Sequence, residues 1–141
     1  MNPLYTTKVT ATGGRSGTVR SEDGLLDLSL AMPRSLGGKG GATNPEQMFA
    51  GGYAACFENA LLRVSRQAGQ RIGDNDVEVV AEVGLSRNEA DAFVLAVALT
   101  ITMAGVEQEK AEALVLAADA ICPYSNAIRD NIDVAKTIVV R

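Results

Sequence analysis

The sequence predicts an α+β domain, and three observations predict it. Residues 77–86 and 93–103 are long runs rich in Val, Ala, Leu, Ile and Thr, the composition of two hairpin strands. Residues 45–68 carry one long helix with a start and a stop signal. Residues 4–11 and 18–31 alternate apolar and polar positions around Gly13-Gly14-Arg15-Ser16-Gly17, a turn by its glycine content. With a second helix and a last strand the order becomes β-β-β-α-β-β-α-β. That order suits a curved antiparallel sheet around a central long helix.

Each element has a local reason. The N-terminal segments form a meander. Leu36-Gly37-Gly38-Lys39-Gly40-Gly41 follows; its glycine density is P-loop-like, but no Gly-Lys-Ser/Thr precedes a helix, so a flexible loop over 34–43 is the better reading. Asn44 is a good N-cap, Pro45 fits the first helical position, and Glu46 favours the positive helix end. The helix stops near Ala68, with Gly69 as its C′ residue. Its middle, Phe49-Ala50-Gly51-Gly52-Tyr53-Ala54-Ala55-Cys56-Phe57, is apolar on nearly every side, as in a buried helix. A second helix spans about 107–121, with Val106, Leu114, Val115 and Ala118 on one stripe, and Pro123 ends it near Cys122. Residues 132–140 form the last strand.

Composition narrows the function. The chain has 141 residues, which fits one domain over 1–141, and 47% of them are apolar, which fits a globular core. No run approaches 18 consecutive apolar residues, so no membrane span is expected. The net charge of −4, with basic residues scattered, argues against nucleic acid and against an anionic membrane surface. The start shows no secretion signal, and two cysteines are no disulfide framework, so a cytoplasmic protein is expected.

Those two cysteines carry the chemistry. There is no histidine, so neither a Cys-His dyad nor an imidazole metal ligand can form, and two thiols alone do not complete a zinc site. No metal and no cofactor is expected. Thiol chemistry or plain core packing remains, since buried free cysteine often acts as a small hydrophobe. A nucleophilic cysteine must be a thiolate. Cys56 lies eleven positions beyond Pro45, out of reach of a helix dipole that fades within the first turn. An arginine must therefore activate it, if anything does. Arg15 leads because a glycine-bracketed turn displays it; Arg34, Arg63 and Arg129 are alternatives. In such a turn Arg15 reads equally well as a solvated loop residue.

Several segments match a known family together. They are Ala11-Thr12-Gly13-Gly14-Arg15, Leu36-Gly37-Gly38, Thr43-Asn44-Pro45-Glu46-Gln47-Met48-Phe49-Ala50, Gly52-Tyr53-Ala54-Ala55-Cys56-Phe57, Cys122-Pro123-Tyr124-Ser125-Asn126-Ala127 and Asn131-Ile132-Asp133-Val134. Across essentially its whole length the chain resembles the Ohr/OsmC family, and the Cys-Pro-Tyr-Ser-Asn form looks like its organic-hydroperoxide-resistance branch. Ser16 and Asn59 depart from residues common there, and neither touches the chemistry.

The resemblance implies an OsmC/Ohr-like fold, an intertwined homodimer and a two-cysteine peroxidase. It implies that Cys56 is the peroxidatic and Cys122 the resolving cysteine, and that Arg15 and Glu46 hold the peroxidatic thiolate. Arg15 would lower the thiol pKa, with Glu46 orienting it through a two-pronged contact. The implied substrates are organic hydroperoxides, and the implied reductant is a dithiol such as dihydrolipoamide or a lipoylated protein. Met48, Phe49, Tyr53 and Phe57 make apolar surroundings suited to a bulky hydroperoxide. The other class of function open to this sequence is a non-enzymatic binding or redox-sensing module. Glu46 and Cys56 are ten residues apart, about 15 Å on one continuous helix. Either the helix breaks at Gly51-Gly52, or the Arg15–Glu46 pair serves the thiol of a second subunit; the second is the favoured expectation.

Overall fold

The computed structural model describes residues 1–141. The expected elements follow in the expected order, with one addition: β1 (Val9–Thr12), β2 (Thr18–Ser21), β3 (Asp27–Ser29), α1 (Pro45–Gln67), β4 (Val77–Arg87), β5 (Phe93–Met103), α2 (Gln108–Ile121), α3 (Pro123–Ile128) and β6 (Ala135–Val140). They fall into two compact units, Met1–Met48 and Phe49–Arg141. No helix is long and apolar enough to cross a membrane.

In the first unit, β1, β2 and β3 form an antiparallel sheet in sequence order. The strands are shorter than the alternation suggested. Residues 18–31 are divided because Ser21-Glu22-Asp23-Gly24 makes a turn with its own side chains. Asp23 Oδ1 accepts the Ser21 hydroxyl at 2.6 Å and the Leu25 amide at 3.0 Å, and Gly24 has φ 77°. The glycine-rich segment is a loop, as expected, with hydrogen bonds of its own. It folds back on itself: the Gly38 amide donates to the Pro33 carbonyl, the Gly40 amide to Met32, and Arg34 Nε to Lys39.

Both ends of α1 follow their signals. Asn44 Oδ1 accepts the Gln47 amide at 2.9 Å. At the other end the Gln70 amide reaches the Ser65 carbonyl and the Gly69 amide reaches Arg66, with Gly69 at φ 73°. That is a Schellman stop. The helix runs unbroken through Gly51 and Gly52.

In the second unit, β4 and β5 pair over eleven positions, from Val77↔Met103 to Arg87↔Phe93. Asn88 Oδ1 closes the hairpin by accepting the Ala90 and Ala92 amides. The last strand corrects the all-antiparallel expectation: β6 lies parallel to β5, from Ala98↔Ala135 to Met103↔Val140. The chain returns through α2 and α3, and a helical crossover of that length is what a parallel neighbour requires. There are thus two three-stranded sheets. Val97, Leu99, Ile101 and Met103 of β5 join Tyr53, Phe57 and Leu61 of α1 and Leu114, Val115 and Ala118 of α2 in one buried cluster. Cys122 belongs to the same core.

Candidate active site

Arg15 and Glu46 form a fork. Gly13 and Gly14, at φ 82° and 57°, turn the chain so that residues 14–16 make a single 3₁₀ turn carrying Arg15. A Cβ on Gly13 would meet the Gly17 Cα at 2.9 Å, so the turn needs glycine there for space as well as for φ. Arg15 Nη1 donates to Glu46 Oε2 at 2.8 Å, and Nη2 donates to Oε1. This two-pronged geometry is the specific strength of guanidinium with carboxylate. The Arg15 hydrogen bond holds the Glu46 carboxyl below its usual range, against burial, and Glu46 raises Arg15 in turn. Arg15 is therefore a paired residue rather than a solvated turn residue, and Glu46 does more than neutralise a helix end.

The other arginines are differently placed. Arg129 Nη1 binds Asp119 Oδ2 at 2.9 Å, while its Nη2 binds the Asp119 carbonyl and Asn126 Oδ1, both at 2.8 Å. Arg34 serves the Lys39 carbonyl in its own loop. Arg63 is exposed on α1.

The two cysteines are both free thiols; Cys56 is half-buried and Cys122 fully buried. Pro123 holds Cys122 out of helical geometry (φ −69°, ψ 119°), ending α2 as expected. The same proline then opens α3, the helix the sequence reading lacked. Proline suits a first helical turn as well as it blocks an interior, so the residue read as a stop is also a start.

Burial pushes the Cys56 thiol pKa up, and hydrogen bonding and electrostatic repulsion from Cys122 push it further; the Tyr124 backbone opposes them. The α2–α3 elbow thus brings Cys122 and Tyr124, 66 and 68 positions on in sequence, into the surroundings of Cys56. The lowering expected from Arg15 is not among these influences. The neighbours that act on it, Cys122 and Tyr124, are not cations.

Phe49, Tyr53, Phe57 and Tyr124 form an aromatic cluster beside the thiols. Phe49 meets Tyr53 edge-on at 6.3 Å and Tyr124 at 6.1 Å, and Tyr53 lies 5.8 Å from Tyr124 and 6.4 Å from Phe57. Tyr53 and Phe57 are fully buried and act as packed wall, whereas Met48 and Phe49 keep partial exposure. Tyr124 was absent from the pocket residues read from sequence. Its position two residues after Cys122 was the available signal. Tyr53 Oη bonds Ser125 Oγ at 2.7 Å, a pairing that nothing in the sequence pattern announced. Nowhere does the structure gather three or more His, Cys, Asp or Glu side chains into a metal-binding group.

Residues 38–136 match the family model described as OsmC-like protein. The chain belongs to the OsmC-like family. Within it, the chain is similar to the organic hydroperoxide resistance protein OhrB of Bacillus subtilis, 45% identical over 93% of this chain and 95% of that one. It is also 45% identical to an organic hydroperoxide resistance protein of Xanthomonas axonopodis pv. citri, over 96% of this chain and 94% of that one. The crystal structure of such a protein from Legionella pneumophila superposes with a TM-score of 0.94 at 52% identity, covering 99% of this chain and 100% of that one. This OsmC-like chain therefore has the fold of the organic-hydroperoxide-resistance group.

Proposed function

We propose that this chain is a cysteine-based thiol peroxidase that reduces organic hydroperoxides, lipid hydroperoxides included, to alcohols. The observation that carries the reading is the free thiol of Cys56 with a second, fully buried thiol, Cys122, set against it. The Cys56 thiolate attacks the peroxide O–O bond. The sulfur takes the distal oxygen as sulfenic acid, and the alkoxide leaves and is protonated to the alcohol. The Cys122 thiol then attacks that sulfur: an S–S bond forms, the S–O bond breaks, and the hydroxyl leaves as water with the thiol proton. A dithiol such as dihydrolipoamide or a lipoylated protein reduces the disulfide by two exchanges.

Burial alone keeps Cys56 protonated, so the chemistry needs a cation, and the Arg15–Glu46 fork supplies it. Because α1 is unbroken at Gly51-Gly52, we assign that fork to the thiol of a second subunit in a homodimer. Two-fold symmetry then gives two equivalent sites. Phe49, backed by Tyr53, Phe57 and Tyr124, offers an apolar approach for a bulky hydroperoxide. The reducing cytoplasm is the compartment in which such a thiol pair is regenerated.

The test is turnover of cumene hydroperoxide with dihydrolipoamide. Catalytic consumption is expected, with Cys56→Ser inactive and Cys122→Ser consuming roughly one equivalent and accumulating sulfenic acid. A single stoichiometric oxidation of wild type, despite excess dithiol, would make the chain a redox sensor instead.

A further inference from the structure

On the thiol-peroxidase reading above, the resolving step needs the Cys122 sulfur aimed at Cys56. A disulfide forms only within a narrow window of distance and angle. Cys122 is fully buried in the core, so its side chain has little rotamer freedom with which to search for that window. Its aim is set by the backbone of the α2–α3 elbow. That backbone is bonded on both sides of the cysteine. The Cys122 amide donates to the Ala118 carbonyl at 2.9 Å, and the Cys122 carbonyl accepts the Asn126 amide at 3.0 Å.

The elbow leaves the last turn of α2 with carbonyls that the helix itself does not pair. In a continuing helix the Asp119 carbonyl would accept the amide of residue 123, but Pro123 has no N–H to give. Arg129, the residue that caps the far end of α3, supplies the missing donor. Its Nη2 donates to the Asp119 carbonyl and to Asn126 Oδ1, both at 2.8 Å, and its Nη1 donates to Asp119 Oδ2 at 2.9 Å. Asn126 Nδ2 in turn donates to the Ala120 carbonyl at 3.3 Å. Lys136 Nζ, on β6, lies 3.2 Å from Asp119 Oδ1 and ties the group to the sheet. A lone exposed ion pair would contribute little. Here the Asp119 side chain is only 15% exposed, one guanidinium serves three acceptors, and two terminal carbonyls of α2 gain partners.

We infer that Arg129 is a positioning residue for the resolving step. It staples the far end of α3 to the last turn of α2, and so fixes the line along which the Cys122 sulfur meets the Cys56 sulfenic acid. Asn126 is the second point of the staple. Along that line the S–S bond forms as the S–O bond breaks, and the thiol proton leaves with the hydroxyl as water. No outside oxidant or reductant enters this step. The hydrogen bonds of Arg129 go to Asp119 and Asn126 and none goes to a sulfur, so the first oxidation of Cys56 does not depend on it.

The test is a rapid-quench single turnover with one equivalent of cumene hydroperoxide. Loss of the Cys56 thiol, the sulfenic acid trapped as its dimedone adduct, and the disulfide are followed by mass. Arg129→Ala and Asn126→Ala should slow disulfide formation by roughly tenfold, the rate equivalent of one lost hydrogen bond to a charged group. Both should accumulate the trapped sulfenic acid, with Cys56 oxidation within about twofold of wild type on the same scale. In excess hydroperoxide their longer-lived sulfenic acid should pass on to sulfinic acid, which fast resolution prevents in wild type. Arg129→Lys should recover part of the disulfide rate, because an ammonium keeps the charge beside Asp119 and loses the fork that also holds Asn126. A ranking of Arg over Lys over Ala in the second step alone is not produced by a general loss of stability. If Arg129→Ala does not fold, Arg129→Lys and Asn126→Ala decide the matter. Equal slowing of both steps, or an unchanged disulfide rate in the folded variants, would overturn the inference while leaving the peroxidase reading intact. A wild type that consumes no hydroperoxide would overturn that reading, and this inference with it.

Discussion

Tyr124 covers Gly52: a Cβ built on Gly52 would stand 2.5 Å from the Tyr124 hydroxyl oxygen and 3.0 Å from Cζ. The glycine in the middle of α1 is therefore the space into which the residue two past Cys122 fits. Gly52→Ala gains up to about 1 kcal/mol of helix propensity and loses that fit. The two effects oppose in stability and separate in function. The expected result is a melting temperature close to wild type with disulfide formation slowed several-fold, because Tyr124 must move and the α2–α3 elbow moves with it. An unchanged disulfide rate would show that Tyr124 yields without carrying Cys122.

The thiol pKa gives a second test. Burial and the neighbouring thiol raise Cys56, so removal of the activating cation should leave it above the free-thiol value of ~8.5, not at it. Alkylation rate against pH should show a low midpoint in wild type and the highest midpoint in Arg15→Ala. Arg15→Lys should fall between, keeping the charge and losing the fork. Identical curves for wild type and Arg15→Ala would remove Arg15 from the thiolate.

Glu46 fixes the pH sign of the fork itself. Its carboxyl is held below the usual range in the fold, so the pair stabilises fully above the unfolded glutamate pKa of ~4.3. That contribution is lost as pH falls below this value and through the folded pKa. Glu46→Gln should therefore be less stable than wild type at pH 7, and the difference should shrink as pH falls below the unfolded value and vanish below the folded pKa. Urea midpoints across the acid range measure it. A gap that does not change with pH would mean that the fork is not what Glu46 contributes.

The sequence announced most of the fold because its punctuation is local. The Asn44-Pro45-Glu46 start, the Gly69 stop and the long apolar strands depend on neighbours within a few residues, and they stand where expected. What it hid was set by distance or by double meaning. Pro123 reads as a stop, and its use as the first residue of α3 depends on where the following turn packs. The parallel pairing of β6 is decided by the whole crossover, not by residues 135–140. Likewise the partners of Asp119 sit 10 and 17 positions away, at Arg129 and Lys136, where no periodicity connects them. Cys56 shows the same division. Its place on α1 follows from the local pattern, but the direction of its pKa depends on burial that the pattern does not contain.

Ser65 offers a stability test remote from the chemistry. Its side chain is buried in α1, at 1% exposure, and its hydroxyl has no hydrogen-bond partner. A buried donor left unpaired costs about 1–3 kcal/mol. Ser65→Ala removes the hydroxyl without adding volume, so it should raise the melting temperature by a few degrees, consistent with ~1 kcal/mol. Loss of stability would mean that the hydroxyl has a partner in the folded protein.

The assignment of the fork to a second subunit is tested by mixing. On an unbroken α1, Glu46 and Cys56 are ten residues apart, about 15 Å of rise, which a glutamate and one guanidinium do not easily span to reach the same sulfur. If the fork acts across a dimer, Cys56→Ser and Arg15→Ala proteins are each nearly inactive alone. Their heterodimer collects both defects in one site and leaves the other with an intact Cys56 and an intact Arg15. After random exchange of equal amounts, half the dimers are mixed and half of their sites work. Activity should therefore return to about a quarter of wild type. Exchange is proven separately, by the mass of dimers carrying one tagged subunit. If exchange is complete and activity stays at the level of the two parents, Arg15 serves the cysteine of its own chain.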